Sequence, residues 1–96
     1  MSYNLEFKES ALKEWWKIDR PVREQFKKKL SARLENPKVG ADKVSGLADT
    51  YKIKLRASGL RLVYTVDDEK KTLIVYAVGK RDKEEAYRKA RARILR

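Results

Sequence analysis

The 96-residue chain has 42% hydrophobic content, enough for one modest core and too little for a second. It contains neither cysteine nor histidine, which excludes disulfide staples, thiolate zinc sites, cysteine nucleophiles, triads of the Ser-His-Asp type and any imidazole working near neutral pH. Twenty-five Lys and Arg against 14 Asp and Glu leave a formal net charge of +11, and a polyanionic partner is the first expectation because each neutralised phosphate releases condensed counterions.

Membrane surfaces and acidic proteins would attract the same charge. However, the longest strongly apolar run, Leu73 to Val78, falls far short of the roughly 20 residues that span a bilayer. Glu6, Lys8 and Glu9 interrupt any signal-peptide pattern, so a cytoplasmic protein without a membrane partner is expected.

Tyr3, Leu5 and Phe7 alternate with polar neighbours, which predicts a half-buried strand over residues 2–7. From Glu9 the period changes: Ala11, Leu12, Trp15, Trp16 and Ile18 fall on one helical face, and Val22, Phe26, Leu30 and Leu34 repeat every four residues. Two helices result, broken at Asp19 to Pro21, where Asp19 can cap and Pro21 fits the first turn; Asn36-Pro37 ends the second. Trp15 and Trp16 must point different ways, so at least one belongs to the core.

Residues 37–48 read as a loop with solvated lysines. Three strands follow, over 51–55, 60–66 and 72–79, forming an antiparallel meander. Asp82 and Glu85 make a capping-box-like pair opening a last helix with the apolar stripe Tyr87, Ala90 and Ile94. The order β-α-α-β-β-β-α describes a single α+β domain over residues 1–96, a small antiparallel sheet with helices packed on one face.

Side chains alternate across a strand, so Lys52, Lys54 and Arg56 share the face opposite Tyr51, Ile53 and Leu55. If Ala57-Ser58 closes the hairpin, Lys54 lies directly across from Arg61 and Lys52 across from Val63. Like charges so placed cost a few tenths to about 1 kcal/mol, and tolerated repulsion hints at an anion between them. A solvated outer face explains the same row equally well. Lys80 and Arg81 stand at the opening of the last helix, a position that favours anions. From Lys80 to Arg96 there are eight basic residues against three acidic ones. Tyr87 reads either as a core aromatic or as a ring for stacking on a base. Asp67 and Asp68 sit in a charged turn and read as solvated rather than as a metal pair.

The segments ALKEWWK, VREQFKKKL, YKIKLRASG, LRLVY and VGKR, with the Tyr of EEAYRKA, closely resemble the bacterial RelE toxins of the RelE/ParE superfamily, nearly end to end. The resemblance implies a microbial-RNase-like RelE fold and a ribosome-dependent mRNA interferase. It would cut the message in the ribosomal A site by attack of the 2′-hydroxyl, leaving a 2′,3′-cyclic phosphate, without metal or cofactor. By motif position the active residues would be Lys52, Lys54, Arg61, Arg81 and Tyr87. Lys54 would be the base and Arg81 the stabiliser or proton donor for the leaving oxygen. Lys52 and Arg61 would hold the phosphorane charge, and Tyr87 would stack on or orient the attacked nucleotide. Lys80, Arg56, Lys83 and Arg88 would contact RNA around them. Fixed cations aimed at developing charge would supply much of the rate while the ribosome aligns the substrate.

The resemblance further implies a RelB-like antitoxin that covers the basic face, displaces the short last helix and brings the pair to operator DNA. One departure is Ser45, where relatives often carry Arg. The competing class is a non-catalytic basic protein that binds RNA or the ribosome. A DNA-binding role finds no recognition helix to support it.

Overall fold

The computed structural model describes residues 2–96 and carries the expected element order. β1 (Asn4–Phe7) leads to α1 (Glu9–Lys17) and α2 (Arg20–Glu35), then a one-turn 3-10 helix at Gly40–Asp42. β2 (Thr50–Leu55), β3 (Leu60–Asp67) and β4 (Thr72–Lys80) follow, and a second 3-10 turn at Asp82–Glu84 opens α3 (Glu85–Ile94).

The apolar faces read from the period are the buried ones: Ala11 and Trp15 on α1, Phe26 and Leu30 on α2. Of the adjacent tryptophans, Trp15 packs between Phe7 and Phe26 while Trp16 is 64% exposed. These helices cover one face of the sheet, meeting Tyr51, Ile53 and Leu55 of β2, Leu62, Tyr64 and Val66 of β3, and Leu73, Val75 and Val78 of β4.

The strands lie in the order β1-β4-β3-β2. β2, β3 and β4 form the antiparallel meander, but β1 pairs with β4 in parallel, Asn4 opposite Thr72 and Phe7 opposite Val75. The sheet is therefore mixed rather than antiparallel. Alternation of apolar residues is the same in either orientation, and the direction of β1 is set by the path of the intervening chain.

The helices also divide between the two faces. Ala86 and Ala90 of α3 pack on Val63 and Ala77, on the side opposite α1 and α2. That face is charged along β2 and at Arg61 of β3; beside them Val63 and Ala77 are apolar, and the alanines of α3 allow a close approach there. A bulge enlarges this apolar area. Val63 pairs with Ala77 and Tyr64 with Val75, leaving Tyr76 unmatched, and both Tyr76 and Ala77 pack with α3.

The caps differ from expectation. Asp19 occupies the N-cap of α2 without a side-chain bond; its carbonyl accepts from the Arg23 N–H at 2.9 Å. No capping box forms at α3. Glu85 Oε2 instead accepts from the Lys80 N–H at 2.9 Å, tying the helix start to the end of β4. Lys83 and Glu84 take left-handed backbone, φ 54 and 53, to make that turn. None of the helices among the described residues is long and apolar enough to cross a membrane.

Candidate active site

The meander fixes the first half of the site. Lys54 pairs with Arg61, and Lys52 with Val63. This is the register expected, although the connection is a four-residue turn, Arg56 to Gly59, with Gly59 at φ 72 donating its N–H to the Leu55 carbonyl at 2.9 Å. On its other side Arg61 pairs with Gly79 of β4. A Cβ at Gly79 would come within 2.8 Å of Glu85 Oε2 and 3.1 Å of the Ala86 nitrogen, so glycine is what lets α3 begin directly over this strand.

Arg61 is only 5% exposed. It donates to the Leu60 carbonyl at 3.0 Å and makes no ion pair with a carboxylate among the described residues. Burying a guanidinium without a counter-charge is costly for folding. No buried side-chain polar atom lacks a partner among the described residues, so every Arg61 donor without a protein acceptor remains reachable from outside.

The second half comes from α3. Tyr87 is half-buried against the core of that face, and its ring lies 6.0 Å from Lys52 Nζ. Burial pushes the Tyr87 phenol above its ordinary value of 10.0, while the charge of the neighbouring Arg61 guanidinium works the other way; the balance keeps it a neutral phenol at pH 7. Packing and ligand-facing roles are thus not alternatives for Tyr87. Tyr87 both packs against that core and lines the cleft beside it.

Beside Tyr87 opens a cleft of about 460 Å³, walled by α3 and the segment 43–47. Val44 and Leu47 give it an apolar side, and Lys43, Lys52, Arg88 and Arg91 outnumber its one acid, Glu84. Ser45 stands in this wall. The segment is held as a partial strand on the edge of β2, through a bridge between Lys43 and Tyr51 and a 2.9 Å bond from the Val44 N–H to the Thr50 carbonyl.

Arg81 is exposed at the end of β4, and its N–H donates to the Gly59 carbonyl at 2.7 Å, which joins that end to the turn carrying Arg56. Lys80 pairs with Leu60 alongside it. Lys83 and Arg88 flank the start of α3, with Arg88 Nε donating to the Lys83 carbonyl at 2.9 Å. Lys52, Lys54, Arg61 and Tyr87 therefore meet where the uncovered part of the sheet meets α3. Arg56, Arg81, Lys83 and Arg88 lie around the same region, whereas Lys80, paired with Leu60, lines a separate cleft with Glu14, Lys17 and Ile18. Asp67 and Asp68 lie in their turn: Asp67 accepts from the Lys70 N–H, and Asp68 pairs with Lys38 and accepts from the Tyr3 hydroxyl at 2.8 Å.

Two supports escaped the sequence reading. Arg33 of α2 donates to the Lys52 carbonyl at 3.1 Å and to the Tyr64 hydroxyl at 2.9 Å, and pairs with Asp42 at 2.5 Å. Glu14 of α1 accepts from the Val78 N–H, from Arg93 in bidentate fashion at 3.0 and 2.9 Å, and from Lys89 at 3.0 Å, fastening α3 to β4. Each is a charged residue on an otherwise apolar helical face, one turn from Ala11 and from Leu30 respectively, and that position was the available signal.

A mixed four-stranded sheet with two helices on one face and a short basic helix on the other, bearing a buried arginine in a cationic site, is the architecture of a known family. The model of the ParE toxin of type II toxin–antitoxin systems matches residues 5–85, and the chain belongs to that family. It is 56% identical over 95 residues to the mRNA interferase toxin RelE of Escherichia coli K12, covering 99% of this chain and all of that one. Among solved structures, an arginine-substituted E. coli toxin RelE in the free state superposes with a TM-score of 0.91 at 55% identity, covering 99% and 100% of the two chains. The toxin in the intact E. coli RelBE toxin–antitoxin complex gives 0.81 at 57% identity, covering 82% and 96%.

Proposed function

We propose that the chain is the toxin of a type II toxin–antitoxin pair, an endoribonuclease that cuts mRNA lying in the ribosomal A site and so stops translation. The observation that carries this reading is the apposition of Lys54 with a buried Arg61 that has no carboxylate partner among the described residues, next to Tyr87. Family membership and the named activity of the 56% identical relative support it.

In the proposed reaction Lys54 takes the proton of the 2′-hydroxyl, the 2′-oxygen attacks the adjacent phosphorus, and the bond to the 5′-oxygen breaks. A 2′,3′-cyclic phosphate remains, and the departing 5′-oxygen takes a proton either from Arg81 or from water while Arg81 stabilises its charge. Arg61 and Lys52 balance the charge that grows on the equatorial oxygens, an electrostatic contribution that a water-poor pocket strengthens. Tyr87, neutral and held by the α3 core, orients the attacked nucleotide. Arg56, Lys83 and Arg88 hold flanking phosphates.

The partners in this reading are the ribosome with its rRNA, the message, and a RelB-like antitoxin covering the basic face; operator DNA is met only through the antitoxin complex. The place of action is the cytoplasm. Primer extension on a defined message, with and without purified ribosomes, tests the proposal: ribosome-dependent stops inside the A-site codon support it. Binding without any cleavage would assign the chain to non-catalytic RNA binding instead.

A further inference from the structure

The other flank of α3 carries a second cationic cleft. It encloses about 450 Å³ between Lys8 just after β1, Glu9, Ser10 and Lys13 of α1, Tyr76 on β4, and Arg93 and Arg96 at the end of α3, four cations against one acid. Lys8 Nζ stands 5.3 Å from the centre of the Tyr76 ring. Arg93 is committed to Glu14 and to the Tyr76 carbonyl, whereas Lys8, Lys13 and Arg96 are exposed. Lys13 has only a 3.8 Å contact with an equally solvent-bathed Glu9.

Tyr76 reaches this cleft because it is the unmatched residue of the β4 bulge, set on the α3 side of the sheet beside Ala77. A tyrosine ring ringed by cations from separate segments differs from the exposed Lys28 and Lys29, which project from a single helix. It combines the two things a single-stranded nucleic acid needs: a face on which a base stacks, and positive charge spaced around it for the backbone. The catalytic cleft lies on the opposite flank, and Arg93 is six residues from Tyr87, about 9 Å along the helix at 1.5 Å per residue.

We propose that this cleft is a second binding site, for single-stranded RNA, in which Tyr76 stacks on a base and Lys8, Lys13 and Arg96 neutralise the adjoining phosphates. The proposal rests on the reading of the chain as an RNA-directed toxin, but it assigns a contact separate from the reacting one. An RNA strand bound here and at Tyr87 crosses α3, and the second contact adds affinity without touching the reacting phosphate.

The test is fluorescence anisotropy with a labelled 12-nucleotide 2′-O-methyl RNA, which cannot undergo 2′-hydroxyl attack, titrated from low to moderate salt. The double change Lys8→Gln/Arg96→Gln should weaken binding at least about fivefold and make the slope of log affinity against log salt shallower by about 1.4, the value for two lost phosphate contacts on a single strand. Lys28→Gln/Lys29→Gln removes the same charge and should do much less. Tyr76→Leu should weaken binding about five- to hundredfold with the slope unchanged, while Tyr76→Phe binds as the parent does. Equal effects of the two lysine-arginine and lysine-lysine pairs, or no difference between Leu and Phe at 76, would overturn the site.

Tyr76 packs on α3, so Tyr76→Leu needs a second readout. A 4-thiouridine in the same oligonucleotide should crosslink to Lys8 or Tyr76 of the parent protein, and crosslinks confined to the Tyr87 cleft would refute the proposal. Repeating the titration with ribosomes lacking message separates ribosomal RNA from message as the strand bound. Loss of ribosome-dependent cleavage by the parent protein would sink the toxin reading, while the anisotropy result decides the second site independently.

Discussion

Lys54 and Arg61 are direct cross-strand partners, and Arg61 is 5% exposed without a carboxylate beside it among the described residues. Both facts run against stability. A like-charged cross-strand pair is repulsive, and a buried cation without a counter-charge loses hydration that the bond to the Leu60 carbonyl replaces only in part. An anionic ligand relieves both costs at once.

Replacing either residue by a neutral one should therefore separate folding from activity. Lys54→Ala, or Arg61→Met with similar volume, should raise unfolding free energy by a few tenths to about 1 kcal/mol while removing most cleavage. The gains should be less than additive in the double variant, since either change alone relieves the shared repulsion. Denaturant melts at low salt measure this; strict additivity, or loss of stability in both single variants, would contradict the apposition.

Arg81 is exposed, and the contact its residue makes with the turn uses only the main chain. Arg81→Ala should melt as the parent does yet cut the A-site codon about 100- to 1,000-fold more slowly, the loss typical of removing one group aimed at developing charge. Single-turnover cleavage on programmed ribosomes reads this out, and near-parental rates would remove Arg81 from the reaction.

The apposition of Lys54 with Arg61 was legible in the sequence because its two determinants are local. Alternation placed Lys52 and Lys54 on one face, and the turn residues fixed their register against Arg61 and Val63. What was hidden depends on contacts distant in sequence. The direction of β1 leaves no trace in its alternation, and the side taken by α3 follows from Val63 and Ala77, which read simply as strand residues. Glu85 fits a capping box by spacing, but the Lys80 N–H at the end of β4 captures its carboxylate. Arg61 was placed in the site without any sign that it is buried, since burial comes from α3 folding back over β3 and β4.

Acid should loosen α3 before the rest of the fold. Glu14 resists ionisation through burial, but bonds from Arg93, the Val78 N–H and Lys89 prevail and hold its carboxyl below the ordinary value of 4.5. A carboxylate with a lowered folded pKa contributes stability that is complete above its unfolded value and lost as pH falls through the folded one. The contribution is therefore fully present near neutral pH and fades below about pH 4.5. Glu14→Gln should lower the melting temperature at pH 7 and reduce its dependence on pH below 5. Hydrogen exchange should show amides of α3 opening first in that variant; uniform exchange across the sheet and α3 would argue against a fastening at Glu14.

Gly79 sets how closely α3 approaches the strand that flanks Arg61. Gly79→Ala places a Cβ 2.8 Å from Glu85 Oε2 and 3.1 Å from the Ala86 nitrogen, and the second of these is backbone that must move. Overpacking of this kind costs about 1–3 kcal/mol, and the shifted helix carries Tyr87 with it. Thermal melts and cleavage should fall together, unlike the opposed effects at Lys54; full activity in Gly79→Ala would show that the site tolerates displacement of α3.

Arg33 and Asp42 hold the opposite wall. Their side chains are 14% and 18% exposed, and the guanidinium spans Asp42, the Tyr64 hydroxyl and the Lys52 carbonyl, while Tyr64 donates onward to the Pro37 carbonyl at 2.6 Å. One side chain thus ties α2, the segment after it and β2 together at Lys52. Removing one member leaves the other charge in a poorly hydrated place, so Arg33→Met or Asp42→Asn alone should each cost about 2–4 kcal/mol. Combining them leaves no unpaired charge, and the double variant should lose clearly less than the sum. Because the segment 43–47 forms a wall of the cleft, weaker RNA binding should accompany the single changes even where the protein is still folded. Equilibrium denaturation of the two single variants and their combination supplies the cycle. Additive losses would mean that Arg33 and Asp42 act separately, and that the cleft wall is held by the Lys43–Tyr51 bridge alone.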